Sequence, residues 1–295
     1  MIKAQKQSGR VSDCKLRIST GLVLHDLPVG DVWDYMRRAL DFHKAAGFDA
    51  GDLSLNLYTN LLGEKTPEML ECGMKYAEQI GLPIELCHLP FNIYNSPQEV
   101  FDARLSLGID CAKQLGIKAA AIHPPTDTLP LSAYDPKQQH EQAVRLLAPH
   151  AEHAARLGVQ LALENMRPLI LPEPYHRYCM KAEELCAVAD ELGMGVCWDF
   201  GHANIAGAKQ SEELAVVGKR LKMLHVNDNH GTIDVHLPPW MGKIDWADAM
   251  KGLADIGFDG LLNYELIAVN VPVELRDAYT RYAMEAAHKL NELIG

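Results

Sequence analysis

Met194-Gly195-Val196-Cys197-Trp198-Asp199-Phe200-Gly201-His202-Ala203-Asn204 is the stretch on which the reading of this chain turns. An apolar run of strand length ends in an aspartate, and a histidine follows three residues later across a glycine turn. Outward from it in both directions, the same unit repeats: a short β-rich run, then an amphipathic helical run.

The pattern predicts strands at 15–23, 48–56, 82–89, 117–123, 159–164, 194–199, 221–226 and 260–266. Helices are predicted between and after them, at 31–46, 67–80, 97–115, 136–157, 181–192, 211–218, 245–256 and 273–293. The first helix places Val32, Tyr35, Met36, Ala39 and Leu40 on one face. Thr66 can cap the second helix, with Pro67 in its first turn, and Gly116 and Gly158 stop two later ones. Strands alternating with helices make a parallel α/β protein, and eight such units point to a (β/α)8 TIM barrel. A doubly wound sheet would want a glycine-rich phosphate turn after the first strand, which Ser19-Thr20-Gly21-Leu22 does not supply. With no linker or composition break, residues 1–295 read as one domain.

The bulk numbers narrow the setting. The 295 residues carry a net charge of -11, which argues against a basic, nucleic-acid-coating surface and makes nucleic acid an unexpected partner. The seven cysteines are odd in number and form no C-x-x-C pair, as expected of reduced, packed thiols in a cytoplasmic protein. Cys87 and Cys197 are read as packing away from the neighbouring His88 and Asp199. Met1 to Lys15 has no apolar core, so neither a signal peptide nor a membrane association is expected. A homo-oligomer is compatible with all of this.

The strand ends carry the chemistry. The third strand ends at His88, the fourth at His123, the fifth at Glu164, the sixth at Asp199 with His202 just beyond, the seventh at His225 and the eighth at Glu265. In a barrel all these ends open on one face. A single histidine there is usually a hydrogen-bonded loop residue, but packing gives no reason for six strands to agree. A carboxylate at the inner end of an apolar strand needs a partner charge or a cation. Mixed carboxylate and imidazole donors suit zinc or manganese better than a thiolate-preferring metal or calcium. Asp234 and His236, two apart, point the same way if that loop is extended, and they hang over the same face. The long loop 165–180 brings Arg167 and Arg177, able to bind a phosphate or carboxylate of a substrate. Trp240 offers a wall for a sugar ring, and Asn227 and Asp228 could orient His225.

The motifs Leu163-Glu164-Asn165, Trp198-Asp199-Phe200-Gly201-His202, Leu224-His225-Val226-Asn227-Asp228, Asp234-Val235-His236, Gly242-Lys243-Ile244-Asp245-Trp246 and Tyr264-Glu265 resemble the xylose-isomerase-like TIM-barrel superfamily over nearly the whole chain. That superfamily includes sugar-phosphate isomerases and epimerases and endonuclease IV. Resemblance to the ketose 3-epimerase branch implies one metal on Glu164, Asp199, His225 and Glu265. The two glutamates would then move a proton between opposite faces of a substrate carbon through a metal-stabilised enediolate. His202 would bind the substrate. Those epimerases carry an arginine six residues after the histidine, where this chain has Gly231. Resemblance to endonuclease IV implies three zinc ions. His88, His123 and Glu164 would hold one; Glu164, Asp199, His225 and Glu265 a second; and His202, Asp234 and His236 a third. The expectation is therefore a metal-dependent sugar isomerase or epimerase with one to three ions. The alternatives are a trinuclear zinc phosphodiesterase acting on abasic DNA and a metal-dependent lyase on a carbohydrate derivative.

Overall fold

Strand parity organises the molecule. In the computed structural model, which describes residues 16–24, 29–91, 97–125, 133–170 and 174–294, eight parallel strands form one sheet. They are β1 (Arg17–Gly21), β2 (Ala50–Ser54), β3 (Ile84–His88), β4 (Ala119–Ile122), β5 (Leu161–Glu164), β6 (Gly195–Asp199), β7 (Leu221–His225) and β8 (Leu261–Tyr264). Neighbours in sequence are neighbours in space, and β8 pairs in parallel with β1. The ring closes where Val226 bridges to Tyr264, with Val226 N–H donating to Asn263 O at 2.7 Å. This is the (β/α)8 barrel that the alternation predicts.

Successive side chains of a strand face opposite ways. One set of residues faces the barrel axis: Ala50, Leu86, Ala119, Ala121, Ala162, Cys197, Met223 and Leu261. The other, including Val196, Trp198, Leu163, Leu224, Leu262 and Tyr264, packs against the surrounding helices. The axial plug is built mainly from small side chains, which leaves room above it for larger polar ones. Two residues beyond Leu86, Ala121, Ala162, Cys197 and Met223 stand His88, His123, Glu164, Asp199 and His225. Parity therefore points each of them inward, and His225 and Asp199 are fully buried.

Ten helices are present among the described residues: α1 (Val32–Ala46), α2 (Leu55–Leu62), α3 (Thr66–Ile80), α4 (Gln98–Leu115), α5 (Pro136–Leu157), α6 (Ala182–Leu192), α7 (Phe200–Ile205), α8 (Gln210–Val217), α9 (Trp246–Ile256) and α10 (Arg276–Ile294). Helix α1 buries Tyr35, Met36, Ala39 and Leu40 of the expected face together with His43, while Val32 is half-buried. None of these helices is long and apolar enough to cross a membrane.

Several local expectations are corrected. The second strand stops at Ser54, and Leu55-Asn56-Leu57-Tyr58 is helical. The alternation of leucines there mimics a strand, but Leu55, Tyr58 and Thr59 are buried at helical spacing, and Ser54 Oγ accepts from Leu57 N–H at 3.3 Å. Thr66 does not cap α3; it is the first helical residue, and its hydroxyl donates to Gly63 O at 2.6 Å. Cys197 does not point away from Asp199. The two are two residues apart, so both face the axis, and the thiol lies beneath the site. The N-terminal stretch with Cys14, residues 126–132 of the loop after β4, and Leu171–Glu173 of the long loop lie outside the described residues.

Candidate metal and substrate site

Three side-chain clusters meet at the C-terminal mouth of the barrel. In the first, Glu164 Oε2 lies 3.4 Å from His88 Nε2 and 3.2 Å from His123 Nε2. The two imidazole nitrogens are 3.2 Å apart, and His88 Nδ1 is tied to Leu89 O at 2.8 Å. In the second, His225 Nδ1 faces Glu164 Oε1 at 3.1 Å, Glu265 Oε2 at 3.3 Å and Asp199 Oδ2 at 3.9 Å. In the third, Asp234 lies between His202 Nε2 and His236 Nε2, 3.2 Å from each. Glu164 joins the first two, and its Oε1 lies 3.4 Å from His202 Nδ1 of the third.

Several of the ligand candidates are held from behind. Asn165 clamps the end of β6: its Oδ1 accepts from Asp199 N–H at 2.6 Å, and its Nδ2 donates to Asp199 O at 2.9 Å. Asp199 Oδ1 caps α7 through His202 N–H at 2.6 Å, and Asp199 Oδ2 accepts from Asn227 Nδ2 at 2.7 Å. The cap fixes the three-residue step from aspartate to histidine, and His202 Nδ1 settles on Asn165 O at 2.8 Å. Gly201 is required here because a side chain at that position would collide with Asn227 Oδ1. Asn227 thus orients Asp199 rather than His225. Asp228 serves the loop after β7, accepting from Trp240 N–H and Trp246 Nε1–H, both at 3.0 Å. Asp234 and His236 do not converge through an extended segment: His236 has φ 48°, and its Nδ1 is anchored on Glu265 O at 2.8 Å.

The electrostatics show what the arrangement lacks. Burial pushes the Asp199 carboxyl up to about 6, with Glu164 and Glu265 adding to the rise against the pull of His202. Burial disfavours the charged form of His202 and His236, but nearby carboxylates outweigh it and hold them up at about 9 and about 10. Glu164 is likewise pushed up by burial and pulled further down by His225 and His123. Imidazoles are the neighbours that offset these carboxylates. Glu164 Oε2, both ring nitrogens of His225 and Asp234 Oδ1 are buried without a hydrogen-bond partner. Orphaned carboxylate oxygens and imidazole nitrogens converging at these distances fit a divalent cation, and each of the three clusters brings such donors together.

A cavity of about 600 Å³ opens above the clusters, lined by His88, His123, Glu164, His202, Asp234, His236 and Glu265 together with Arg167 and Arg177. Trp240 is not part of its lining; it is half-exposed on the rim, 6.4 Å from the ring of Trp246. Composition of the loop suggested a sugar wall, but its backbone is drawn to Asp228 instead. The sequence reading passed over Asp52, Asn263 and Ser19. These form a buried chain inside the barrel, with Ser19 Oγ donating to Asn263 Oδ1 at 2.8 Å and Asn263 Nδ2 to Asp52 Oδ2 at 2.7 Å. The available signal was parity: Asp52 stands two residues after the inward Ala50, as Glu164 stands after Ala162.

Fold and site together define a TIM barrel with carboxylate and imidazole clusters at its strand ends. Residues 40–290 match the family described as the xylose isomerase-like TIM barrel, and the chain belongs to that family. An uncharacterized protein of Methanocaldococcus jannaschii is 24% identical over 304 residues, covering 98% of this chain and 96% of its own. Among solved structures, a D-tagatose 3-epimerase-like protein superposes with a TM-score of 0.73 at 20% identity, covering 95% of this chain and 98% of its own. A D-allulose 3-epimerase from Methylomonas sp. gives 0.70 at 17% identity, covering 93% and 98%. At these identities the likeness is one of fold.

Proposed function

We propose that this protein is a divalent-metal-dependent isomerase or epimerase of a sugar or sugar derivative, acting as a single domain in the cytoplasm. The observation that carries the reading is the placement of Glu164 and Glu265. They reach the same cavity from β5 and from the end of β8, and both carboxylates lie against His225 Nδ1, at 3.1 and 3.3 Å. Two carboxylates flanking one position can take a proton from a carbon next to a carbonyl and return it on the other face. A divalent ion on Glu164, Asp199, His225 and Glu265, zinc or manganese by donor type, supplies the Lewis acidity that makes such a proton removable.

The chain's own residues do the rest. Asn165 and Asn227 hold Asp199, the alanine-rich plug sets the floor, and His202, which shares its Nε2 with Asp234, lines the cavity as the contact for a substrate hydroxyl. Gly231 lacks the ketose-clamping arginine of the resembling epimerases, so the substrate is gripped differently. Fold similarity to the tagatose and allulose epimerases supports the carbohydrate class. The test is solvent deuterium incorporation at one sugar carbon by the metal-loaded enzyme. Glu164→Gln or Glu265→Gln is expected to lower that rate by about 10²–10⁴-fold. Undiminished exchange in either variant would remove that residue from the proton relay.

A second reading rests on a specific observation: the nine residues that the endonuclease IV resemblance implies do gather into three clusters. A trinuclear zinc phosphodiesterase would contain three zinc ions per chain and cleave an abasic-site duplex at nanomolar enzyme. One ion per chain and no cleavage would dismiss it.

A further inference from the structure

Among the described residues Arg177 is a cation without a paired anion. Its guanidinium lines the cavity, its Nε is buried without a hydrogen-bond partner, and no carboxylate lies within ion-pair distance among the described residues. Arg167, ten residues earlier in the same loop, stands close enough to repel it. Burial, and then Arg167, depress Arg177 to about 10, against a smaller pull from Asp234. Arg167 itself spends Nε on Asp234 Oδ2 at 3.0 Å and reaches Pro168 O through Nη1 at 3.5 Å. Both guanidiniums face one cavity, and the described carboxylate they share, Asp234, already serves His202 and His236.

The position is built. Arg177 N–H points to Met180 Sδ at 3.1 Å. The flanking residues are pinned by Glu184, which meets His176 Nε2 at 3.0 Å and accepts from Cys179 N–H at 3.1 Å. A guanidinium nitrogen taken out of water with no partner among the described residues is costly. Sugar hydroxyls would satisfy its N–H groups but would offset neither the lost hydration of the charge nor the repulsion from Arg167. An oxyanion does both, and the planar fork of arginine suits its paired oxygens.

We infer that Arg177, with Arg167 beside it, forms an oxyanion subsite, and that the substrate carries a phosphate ester or a carboxylate in addition to its reacting carbon. This rests on the proposed sugar chemistry for the same cavity, and it departs from D-tagatose and D-allulose, the neutral sugars named for the structural neighbours. The cation absent at Gly231 is supplied from the loop after β5.

Calorimetric titration of the metal-replete protein with D-fructose, D-fructose 6-phosphate, D-glucuronate and inorganic phosphate tests this. One anionic sugar is expected to bind about tenfold to hundredfold more tightly than the neutral hexose, the range for a charge-assisted pair. Preference for the 6-phosphate identifies a phosphate ester, and preference for the uronate a carboxylate. In Arg177→Met that advantage should collapse, with a smaller loss for D-fructose than for the anionic sugar, and Arg177→Lys should restore part of it. No anionic preference in the wild type would overturn the inference. So would a preference that survives Arg177→Met but vanishes on metal chelation, because bound ions would then hold the anion. Deuterium exchange reports separately on the sugar chemistry: anion binding without C–H exchange would sink the epimerase reading and leave the subsite standing.

Discussion

The eight strands carry charge at both ends of the barrel, and the two ends handle it in opposite ways. At the N-terminal end Arg17 of β1 grips Glu85 of β3 through two N–H···O bonds, at 2.7 and 3.1 Å. Lys118, just before β4, adds a third contact at 2.6 Å. Glu85 is pushed up by partial burial, but Arg17 and Lys118 outweigh that and hold it below the ordinary carboxylate range. At the C-terminal end Glu164, Asp199 and Glu265 converge with only imidazoles for company, and among the described residues no lysine or arginine pairs with them. A charge cluster that brings its own counter-ions is part of the scaffold. One that does not is suited to hold a cation, which is the role proposed for this end.

If that contrast is right, metal should act on one end only. Zinc or manganese added to chelator-stripped protein at a hundredfold its Kd should stabilise the fold by about 2.7 kcal/mol, visible as a rise of several degrees in Tm. Combining Asp199→Asn with His225→Ala should erase the rise, and an unchanged metal content in that variant would end the assignment of the central site.

A smaller effect is expected one layer down. Asp52 is buried, its Oδ1 has no partner, and it lies close enough to His225 to feel that ring's charge. The inner nitrogen of His225 also lacks an acceptor. Asp52→Leu should weaken metal binding by about 10–100-fold in a chelator competition while leaving Tm level or higher. If affinity does not move, Asp52 only fills the barrel.

The smallest effect belongs to the opposite end. Glu85→Gln should cost at most about 1 kcal/mol near neutral pH, since Arg17 is half-exposed and solvent screens the pair. A carboxyl depressed in the fold contributes stability above its ordinary value of 4.5, and that contribution is lost as pH falls through the lower folded value. The Tm gap between wild type and variant should therefore be present at neutral pH and close in acid. A constant gap would show that Glu85 acts through packing rather than charge.

Much of the site was legible because strand parity is a one-dimensional rule. A residue two positions past an inward alanine or leucine faces inward too, so Glu164, Asp199 and His225 could be placed before any coordinates. The same rule applied to Asp52 and Cys197 would have found them as well. What failed were inferences about loops: Asp234 and His236 meet through a positive-φ turn, and Trp240 is drawn aside by Asp228. Neither follows from spacing, because loop geometry is decided by hydrogen bonds to residues far along the chain.

The sequence alone determined the βα repeat, the barrel, and the identity of the residues at its mouth, since periodicity and local capping are short-range properties. Only the tertiary structure decided which of those residues share an atom's reach and which charges are left without partners. Both depend on how closing the ring brings β8 beside β1 and places Arg167 and Arg177 at the cavity.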